Sequence, residues 1–186
     1  MRGEAFDTCK LLDEDRHPKY MGVRRILQGL ILDMRAKVVV EIGTFRGYTA
    51  VCMGLSAKRW GGKVYTIESN PDKAPQKIIN NMLGKKSNVI LIEKCCEEIK
   101  EEDIERPIDL LFIDGDHTYE GTKRAFEKFY WWLRPGGLIV IHDITIHKTG
   151  SDGQKYGVWK FWGEIDLEKF ALVERPPGIG FVKVPK

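Results

Sequence analysis

Short apolar runs alternate with segments of helical periodicity along this chain. Between residues 20 and 34, apolar side chains recur three and four positions apart, which is typical of an amphipathic helix. They are Val23, Ile26, Leu27, Leu30 and Ile31. A run of three valines follows at 38–40. Such a run of β-branched residues predicts a strand buried on both faces of a parallel sheet.

The same alternation continues to the end of the chain. Strands are predicted at 37–42, 63–68, 88–93, 107–113 and 138–141, and helices at 48–59, from the Asp72 N-cap to 83, in the charged segment up to 105, and at 119–133. A polar loop at 144–157 and a short helix at 158–165 precede two strands, 170–174 and 180–184, which are close enough in sequence to pair antiparallel.

These elements predict a three-layer α/β sandwich. Its sheet would be mainly parallel and seven-stranded, and it would end in a C-terminal antiparallel hairpin. The length of 186 residues suits one domain with a full core. We expect residues 1–22 to form an N-terminal arm or lid and residues 23–186 to form the core.

A glycine turn follows the first strand. Gly43 and Gly47 bracket it, and a helix begins directly afterwards. Strand, glycine turn and helix together present backbone N–H groups and a positive helix end to a ligand. The spacing G-x-x-x-G differs from the dinucleotide fingerprint G-x-G-x-x-G, and the closing hairpin is also unlike a dehydrogenase, so a nicotinamide oxidoreductase is disfavoured. The alternative is an ordinary tight turn.

Composition excludes several classes of protein. The chain is 42% hydrophobic and 31% charged, with a net charge of +3 and no basic block, so we expect no nucleic-acid partner. No apolar run approaches the length of a membrane span, and the first ten residues lack an apolar signal core. The four cysteines lack the C-x-x-C spacing of zinc sites, which predicts reduced thiols in a cytoplasmic protein.

Acidic residues and a histidine collect at the carboxyl ends of the predicted parallel strands. Glu41, Glu68, Asp114 and the pair His142-Asp143 each end a strand. In an open parallel sheet these ends share one rim, where ligands bind. Glu68 could accept two hydrogen bonds from a ribose diol, or it could be a solvated strand-end carboxylate.

Five neighbouring residues carry oxygen and imidazole donors. They are Asp114, Asp116, His117, His142 and Asp143. This donor set suits Mg²⁺, Mn²⁺ or another divalent metal. The alternative is that these side chains only hydrogen-bond a substrate or cap helices.

Several motifs together carry a family resemblance. E-I-G-T-F-R-G-Y-T at 41–49 resembles motif I of class I S-adenosylmethionine-dependent methyltransferases. F-I-D-G-D-H-T-Y-E-G, R-P-G-G-L-I-V-I-H-D and G-I-G-F-V follow in order at the expected strand ends. The chain is similar to the small cephalosporin hydroxylase-like and macrolide-sugar O-methyltransferases. Its motif I also resembles that of the metal-dependent catechol and caffeoyl-coenzyme A enzymes.

The resemblance implies S-adenosylmethionine as the cofactor. The implied cofactor-binding residues are Glu41, Gly43, Thr44, Gly47, Tyr48, Thr49, Glu68, Ser69, Cys95, Cys96 and Asp114. Lys94 stands where the family commonly has glycine, and Cys96 stands where it commonly has serine. The implied metal ligands are Asp114, His142 and Asp143, although the metal-dependent group more often has two acids or Asp-Asn at the second pair.

The implied reaction is O-methylation of a hydroxylated small molecule. The catalytic candidates are Asp114, Asp116, His117 and His142. A bound divalent cation would lower the pKa of the acceptor hydroxyl, and His117 would accept its proton. His117 could instead cap the next helix or bond Asp116. Acceptor specificity would lie in residues 1–22 and 144–160.

Two other functions compete with this hypothesis. A nucleic-acid or protein methyltransferase would often carry an Asn/Asp-Pro-Pro-Tyr/Phe motif after strand four, and this chain has none. A non-catalytic cofactor-binding module could use Trp131, Trp132, Trp159 and Trp162 for a partner, and the same tryptophans permit a homo-oligomer. The retained acids and histidines argue against such a module.

Overall fold

The computed structural model describes residues 18–70, 75–84, 86–150, 153–173 and 176–186, with side chains from residue 22 onward. The predicted arm up to residue 17, Cys9 and the predicted cap Asp72 lie outside the described residues. The helices are α1 (Pro18–Met34), α2 (Tyr48–Ala57), α3 (Pro75–Leu83), α4 (Tyr119–Tyr130) and α5 (Val158–Glu164). The strands are β1 (Val38–Ile42), β2 (Lys63–Ile67), β3 (Val89–Ile92), β4 (Ile108–Ile113), β5 (Leu133–His142), β6 (Lys169–Leu172) and β7 (Ile179–Lys183).

The seven strands form one sheet in the order β3-β2-β1-β4-β5-β7-β6. Strands β1 to β5 are parallel to one another, and β7 pairs antiparallel with both β5 and β6. This confirms the predicted fold class. The direction of winding reverses between β1 and β4, and such a switch point opens a crevice beyond the carboxyl ends of the strands.

Two apolar clusters, one on each face of the sheet, form the core. Leu27 and Ile31 of α1 are fully buried in the cluster that also holds α2 and α3. Phe126 and Phe129 of α4 pack in the other cluster with Phe161 of α5. The three-layer arrangement therefore follows from the periodicity of the helices. Within the described ranges, none of the helices is long and apolar enough to cross a bilayer.

The prediction of a charged helix before β4 is wrong. The chain forms two single-turn 3-10 helices there, Cys96–Glu98 and Glu101–Asp103. The buried residues of this segment are Ile99 and Ile104, which are five positions apart and could not share one face of an α-helix. Burial of these two isoleucines therefore decides the local structure against helix propensity.

The helix predicted at 119–133 ends earlier, at Tyr130. Leu133 begins β5 by pairing with Ile108, and the register of the two strands shifts between Ile108 and Leu110. Pro135 and Gly136 follow immediately, and neither residue supports a helix interior. Of the two neighbouring tryptophans, Trp131 is 83% exposed while Trp132 packs against Phe129.

The glycine turn brings the ends of β1 and β4 into contact. Gly43 has φ +94°, a left-handed conformation that favours glycine. A Cβ at this position would lie 2.3 Å from the backbone oxygen of Asp114. No side chain fits in this space, so the turn requires glycine for two separate reasons.

A buried acid lies beneath this turn. Glu41 is fully buried, and Thr66 Oγ1 donates a hydrogen bond of 2.5 Å to Glu41 Oε2. The hydroxyls of Thr44 and Thr66 are 2.6 Å apart and continue the chain of hydrogen bonds. Burial raises the pKa of Glu41 to about 8, although the Thr66 hydrogen bond acts in the opposite direction. The carboxyl group is therefore protonated over much of the neutral range.

Gly43→Ala should destabilise the protein by more than the strain of a left-handed alanine, which is about 1–2 kcal/mol. The added methyl group would push the Asp114 backbone out of place. Gly84→Ala is the matched control because Gly84 also has a positive φ (+75°) but open space around its Cβ. Urea denaturation measures both variants, and equal losses would show that the close approach to Asp114 carries no extra cost.

Glu41→Gln should make the stability of the protein less dependent on pH between about pH 5 and about pH 8. In that window the folded protein keeps a proton on Glu41 that the unfolded chain releases. Stability of the wild type therefore falls as pH rises, by at most about 1.4 kcal/mol per pH unit from this group. Urea unfolding across the window measures the difference. Glu93→Gln, at an exposed glutamate, is the control, and identical pH profiles for all three proteins would contradict the assignment.

Candidate active site

A cleft of about 1150 Å³ opens at the carboxyl ends of the parallel strands. It lies over the switch point between β1 and β4. Residues from the turns after β1, β2, β3, β4 and β5 all contribute to its lining, as do residues of 146–150 and 154–156. The predicted convergence of strand ends on one rim therefore holds for this cleft.

Glu68 is held rigidly at the end of β2. The N–H of Phe45 donates to Glu68 Oε2 at 2.8 Å, and the N–H of Asn70 donates to Oε1 at 2.9 Å. Each carboxylate oxygen keeps a second lone pair that can accept a ligand hydroxyl. Ser69 follows it on the wall of the cleft.

The glycine turn forms the adjoining wall. Gly43, Thr44, Gly47, Tyr48 and Thr49 all line the cleft. Glu41 was also predicted to bind the cofactor, but it lies behind this wall in contact with Thr66. Both faces of β1 are buried, and Glu41 points to the same face as Val39 because side chains two positions apart in a strand share a face.

The wall after β3 carries the two adjacent cysteines. Both Cys95 and Cys96 line the cleft, and both are free thiols. Burial and the neighbouring Glu97 raise the pKa of Cys96 to about 12, so this thiol stays protonated. The Lys94 ammonium turns away to Asp103, with distances of 2.8 Å to both carboxylate oxygens. Lys94 also lines the cleft.

Asp114, His117 and Asp143 meet at the centre of the cleft. His117 Nε2 lies 3.0 Å from Asp143 Oδ2 and 3.5 Å from Asp114 Oδ1. One donor atom from each of the three residues lies within 4.8 Å of the others. Asp143 adopts a left-handed conformation with φ +61°, which is uncommon for a residue other than glycine. Strained backbone of this kind is often found at functional sites.

The acids and the histidines of this cluster stabilise one another's charged forms. Burial alone would lower the pKa of His117, but hydrogen bonds and charge from Asp114 and Asp143 outweigh it and raise the pKa to about 10. Burial would raise the pKa of Asp114, but His142 and His117 outweigh it and lower the pKa to about 2. With nothing else bound, the cluster therefore holds an imidazolium between two carboxylates.

His142 and Asp116 also line the cleft, and each makes a further contact within the protein. His142 is 4% exposed, and its Nδ1 lies 3.0 Å from Asp114 Oδ1, so it supports Asp114 from the protein side. Asp116 Oδ1 accepts the N–H of Thr118 at 2.9 Å, and Arg124 lies 3.6 Å from its other oxygen. Asp116 thus shapes the start of α4. His142 Nδ1 also lies 3.4 Å from Asp143 Oδ1, so both His117 and His142 contact the two acids.

The cleft has lining residues beyond the predicted ones, among them Tyr156 and Arg24. The Tyr156 ring stacks on His117 with centroids 4.8 Å apart, and the Gly157 N–H donates to the His117 carbonyl at 2.8 Å. Nothing in the periodicity of a polar loop predicts this contact. Arg24 is the other residue, and it does leave a signal: it lies on the same helical stripe as the buried Leu27 and Ile31.

The donor set fits a hard divalent cation. Two carboxylates and one imidazole from Asp114, Asp143 and His117 offer the oxygen and nitrogen ligands that Mg²⁺ or Mn²⁺ accepts. The set differs from the predicted one in one member, because His117 replaces His142.

Comparison with known proteins agrees with this geometry. The model of a methyltransferase-domain family matches residues 40–144, more than half of the chain. A catechol O-methyltransferase from Niastella koreensis is 30% identical over 129 residues, which is 64% of this chain and 55% of the relative. The O-methyltransferase ankF of Aspergillus thermomutatus is 33% identical over 121 residues, which is 63% of this chain and 49% of the relative. The chain thus spans about half the length of these relatives.

A solved structure extends the likeness to the whole fold. The Bacillus cereus O-methyltransferase in complex with S-adenosylhomocysteine superimposes with a TM-score of 0.68 at 23% identity, covering 95% of this chain and 84% of its own. The two proteins therefore have the same fold. The order of the motifs in this chain and the cleft at the β1–β4 switch point agree with the match to the family model. Because that match covers more than half of the chain, the chain belongs to the methyltransferase-domain family.

Proposed function

We propose that this protein is an S-adenosylmethionine-dependent O-methyltransferase that acts on a hydroxylated small molecule. One observation carries the proposal: the glycine turn and Glu68 line the same cleft as the cluster of Asp114, His117 and Asp143. A cofactor site and an acid–base site are therefore within reach of one another. Residues 23–186 would form the catalytic core of a single domain.

The cofactor would lie along the glycine turn. Glu68 would accept hydrogen bonds from the ribose hydroxyls because its two oxygens are already oriented by backbone amides. Cys95 and Cys96 would border the adenine, with Ser69 beside them. Gly43 and Thr49 would border the methionine part, and Asp114 lines the same cleft.

Asp114, Asp143 and His117 would hold a divalent cation. Such a cation lowers the pKa of a coordinated hydroxyl, which favours the alkoxide or phenoxide at neutral pH. The same two carboxylates that would bind it are those that keep His117 protonated. A coordinating imidazole is neutral, so cation binding would require His117 to release the proton that these carboxylates stabilise. Because Nε2 is the atom that faces both carboxylates, its lone pair would serve either the cation or the acceptor proton, and the ligand and general-base roles of His117 are alternatives.

The acceptor would approach from the side of the segment 144–157. Tyr156 stacks on His117 and would limit how an acceptor ring or sugar enters. The reaction needs an acceptor oxygen in line with the methyl group, and holding the two together supplies much of the rate acceleration. Catechol is a reasonable first acceptor to test, because a relative at 30% identity is named for it.

Calorimetric titration with S-adenosylhomocysteine should show binding in the micromolar range, or a free energy of about −8 kcal/mol. Ligand at about one hundred times its dissociation constant should also stabilise the fold by about 2.7 kcal/mol. Titration of the wild type and of the Asp143→Asn variant with Mg²⁺ tests cation binding separately, and the variant should bind Mg²⁺ more weakly. Failure of the protein to bind S-adenosylhomocysteine would contradict the proposal.

Asp114→Asn should reduce turnover of the methyl acceptor by at least about 100-fold, because it removes a charge at the reacting centre while keeping the side-chain shape. Asp116→Asn should cost less than about fivefold, since the asparagine oxygen can still accept the Thr118 amide. Methyl transfer from labelled cofactor measures both variants, with catechol as the first acceptor. Undiminished turnover in Asp114→Asn would contradict the assigned role of this carboxylate.

A further inference from the structure

Two limbs of the loop after β5 pair with each other. Thr149 forms an antiparallel bridge with Lys155, and the N–H of Tyr156 donates to the Lys148 carbonyl at 3.0 Å. Because the limbs run in opposite directions, Lys148 lies opposite Tyr156. Residues directly opposite in an antiparallel pair point to one face, with Cβ atoms about 4.5–5.5 Å apart. The side chains of Lys148 and Tyr156 are therefore neighbours on the same face.

That face is turned into the cleft. The Tyr156 ring stacks on His117 with centroids 4.8 Å apart, and Lys148 lines the cleft beside it. His147 points to the other face, where its ring lies 4.4 Å from that of Trp159. This alternation is expected of an extended limb. Lys148 is thus directed into the cleft next to the aromatic ring that lies on His117.

The Lys148 ammonium is positive charge without an acidic partner in the protein. Lys148 is exposed, and among the described residues its ammonium makes neither a hydrogen bond nor an ion pair. Acids that share the cleft have other cationic partners, since Asp143 lies 3.0 Å from His117 and Asp116 lies 3.6 Å from Arg124. An ammonium group offers three donors, so Lys148 can bind an anionic group of a ligand.

Lys148 stands at the acceptor end of the cleft. The glycine turn after β1 and Glu68 after β2 would border the cofactor, whereas Lys148 follows β5. In the sheet, β4 separates β5 from β1, and Asp114 follows β4. An anionic group bound by Lys148 would therefore belong to the molecule on the other side of Asp114 from the cofactor.

We propose that Lys148 binds a carboxylate on the methyl acceptor, so that the enzyme prefers hydroxylated acids to neutral or cationic acceptors. This inference rests on the proposed function, because it assumes that an acceptor enters the cleft beside the cofactor. Lys148 would hold the acidic end of the acceptor, while Asp114, His117 and Asp143 would face its hydroxyl. Holding an acceptor at two points restricts its orientation towards the methyl group.

A general effect of positive charge at the cleft is the competing explanation. Lys155 also lines the cleft, and any cation there attracts acids from solution. However, Lys155 follows a different alternation from Lys148, because it precedes Tyr156 in the same limb and so points to the other face. Direct binding would be lost only with Lys148, whereas general attraction would be lost equally with either lysine.

The test compares three acceptors that share a catechol ring. Homoprotocatechuate carries a carboxylate, 4-methylcatechol is neutral, and dopamine carries an ammonium group. At least one methylene group separates each charge from the ring, so the acidity of the hydroxyls is similar. Methyl transfer from labelled cofactor with Mg²⁺ measures kcat and KM on the full chain. Calorimetry measures the affinity of each acceptor for the complex with S-adenosylhomocysteine and Mg²⁺, which is a readout independent of turnover.

Four variants separate the two explanations. They are Lys148→Gln, Lys148→Arg, Lys155→Gln and, as the matched control, Lys160→Gln. Lys160 is an exposed lysine of α5, and its ammonium lies over the Tyr119 ring. Thermal unfolding without ligand checks that each variant folds.

The wild type should bind homoprotocatechuate about 5- to 30-fold more tightly than 4-methylcatechol, as expected for a charge-assisted hydrogen bond at a partly exposed site. Dopamine should bind more weakly than 4-methylcatechol. Lys148→Gln should lose the preference for the acid through KM, with less than about a twofold change for 4-methylcatechol. Lys148→Arg should retain most of the preference, Lys155→Gln should reduce it by less than about twofold, and Lys160→Gln should leave it unchanged.

Three results would overturn the inference while leaving the cofactor assignment intact. The first is a wild type that does not bind homoprotocatechuate more tightly than 4-methylcatechol, which requires no variant to fold. The second is an equal loss of all three acceptors in Lys148→Gln, which would indicate a structural role. The third is a loss in Lys155→Gln as large as that in Lys148→Gln. Failure of the wild type to bind S-adenosylhomocysteine would instead overturn the proposed function, and the inference with it.

Discussion

The close approach between the glycine turn and the end of β4 is the constraint on which the site depends. Gly43 lies so near the Asp114 backbone that any side chain would collide with it. The contact brings the turn that would border the cofactor next to the carboxylate that would face the acceptor. A side chain at residue 43 would have to displace the Asp114 backbone, so the geometry of both halves of the cleft depends on glycine at this position.

Burial and charge oppose each other throughout this site. Burial raises the pKa of Glu41 to about 8, where a threonine hydroxyl is its hydrogen-bond partner. Asp114 is also within the protein, but two histidines outweigh burial and lower its pKa to about 2. Two acids at neighbouring strand ends therefore take opposite protonation states. A neutral acid supports the wall, and a charged one faces the cleft.

Much of the fold could be predicted because burial repeats with the period of each element. The valine run at 38–40 and the stripe containing Leu27 and Ile31 each indicate both an element and the face that it buries. The errors occurred where tertiary contacts outweighed local preference. Ile99 and Ile104 reach the core from a segment of charged residues, and Leu133 joins a strand although its spacing suits a helix.

The sequence by itself determined which strand ends carry chemistry, because parallel strands must bring their carboxyl ends to one rim. It also determined the need for glycine in the turn. Only the tertiary structure decided that His117 and His142 both contact the two acids, with His117 the more exposed of the two histidines. It also decided that Tyr156 and Arg24 line the cleft. The reason is that side-chain direction within a loop depends on the packing around it, which no periodicity in the sequence records.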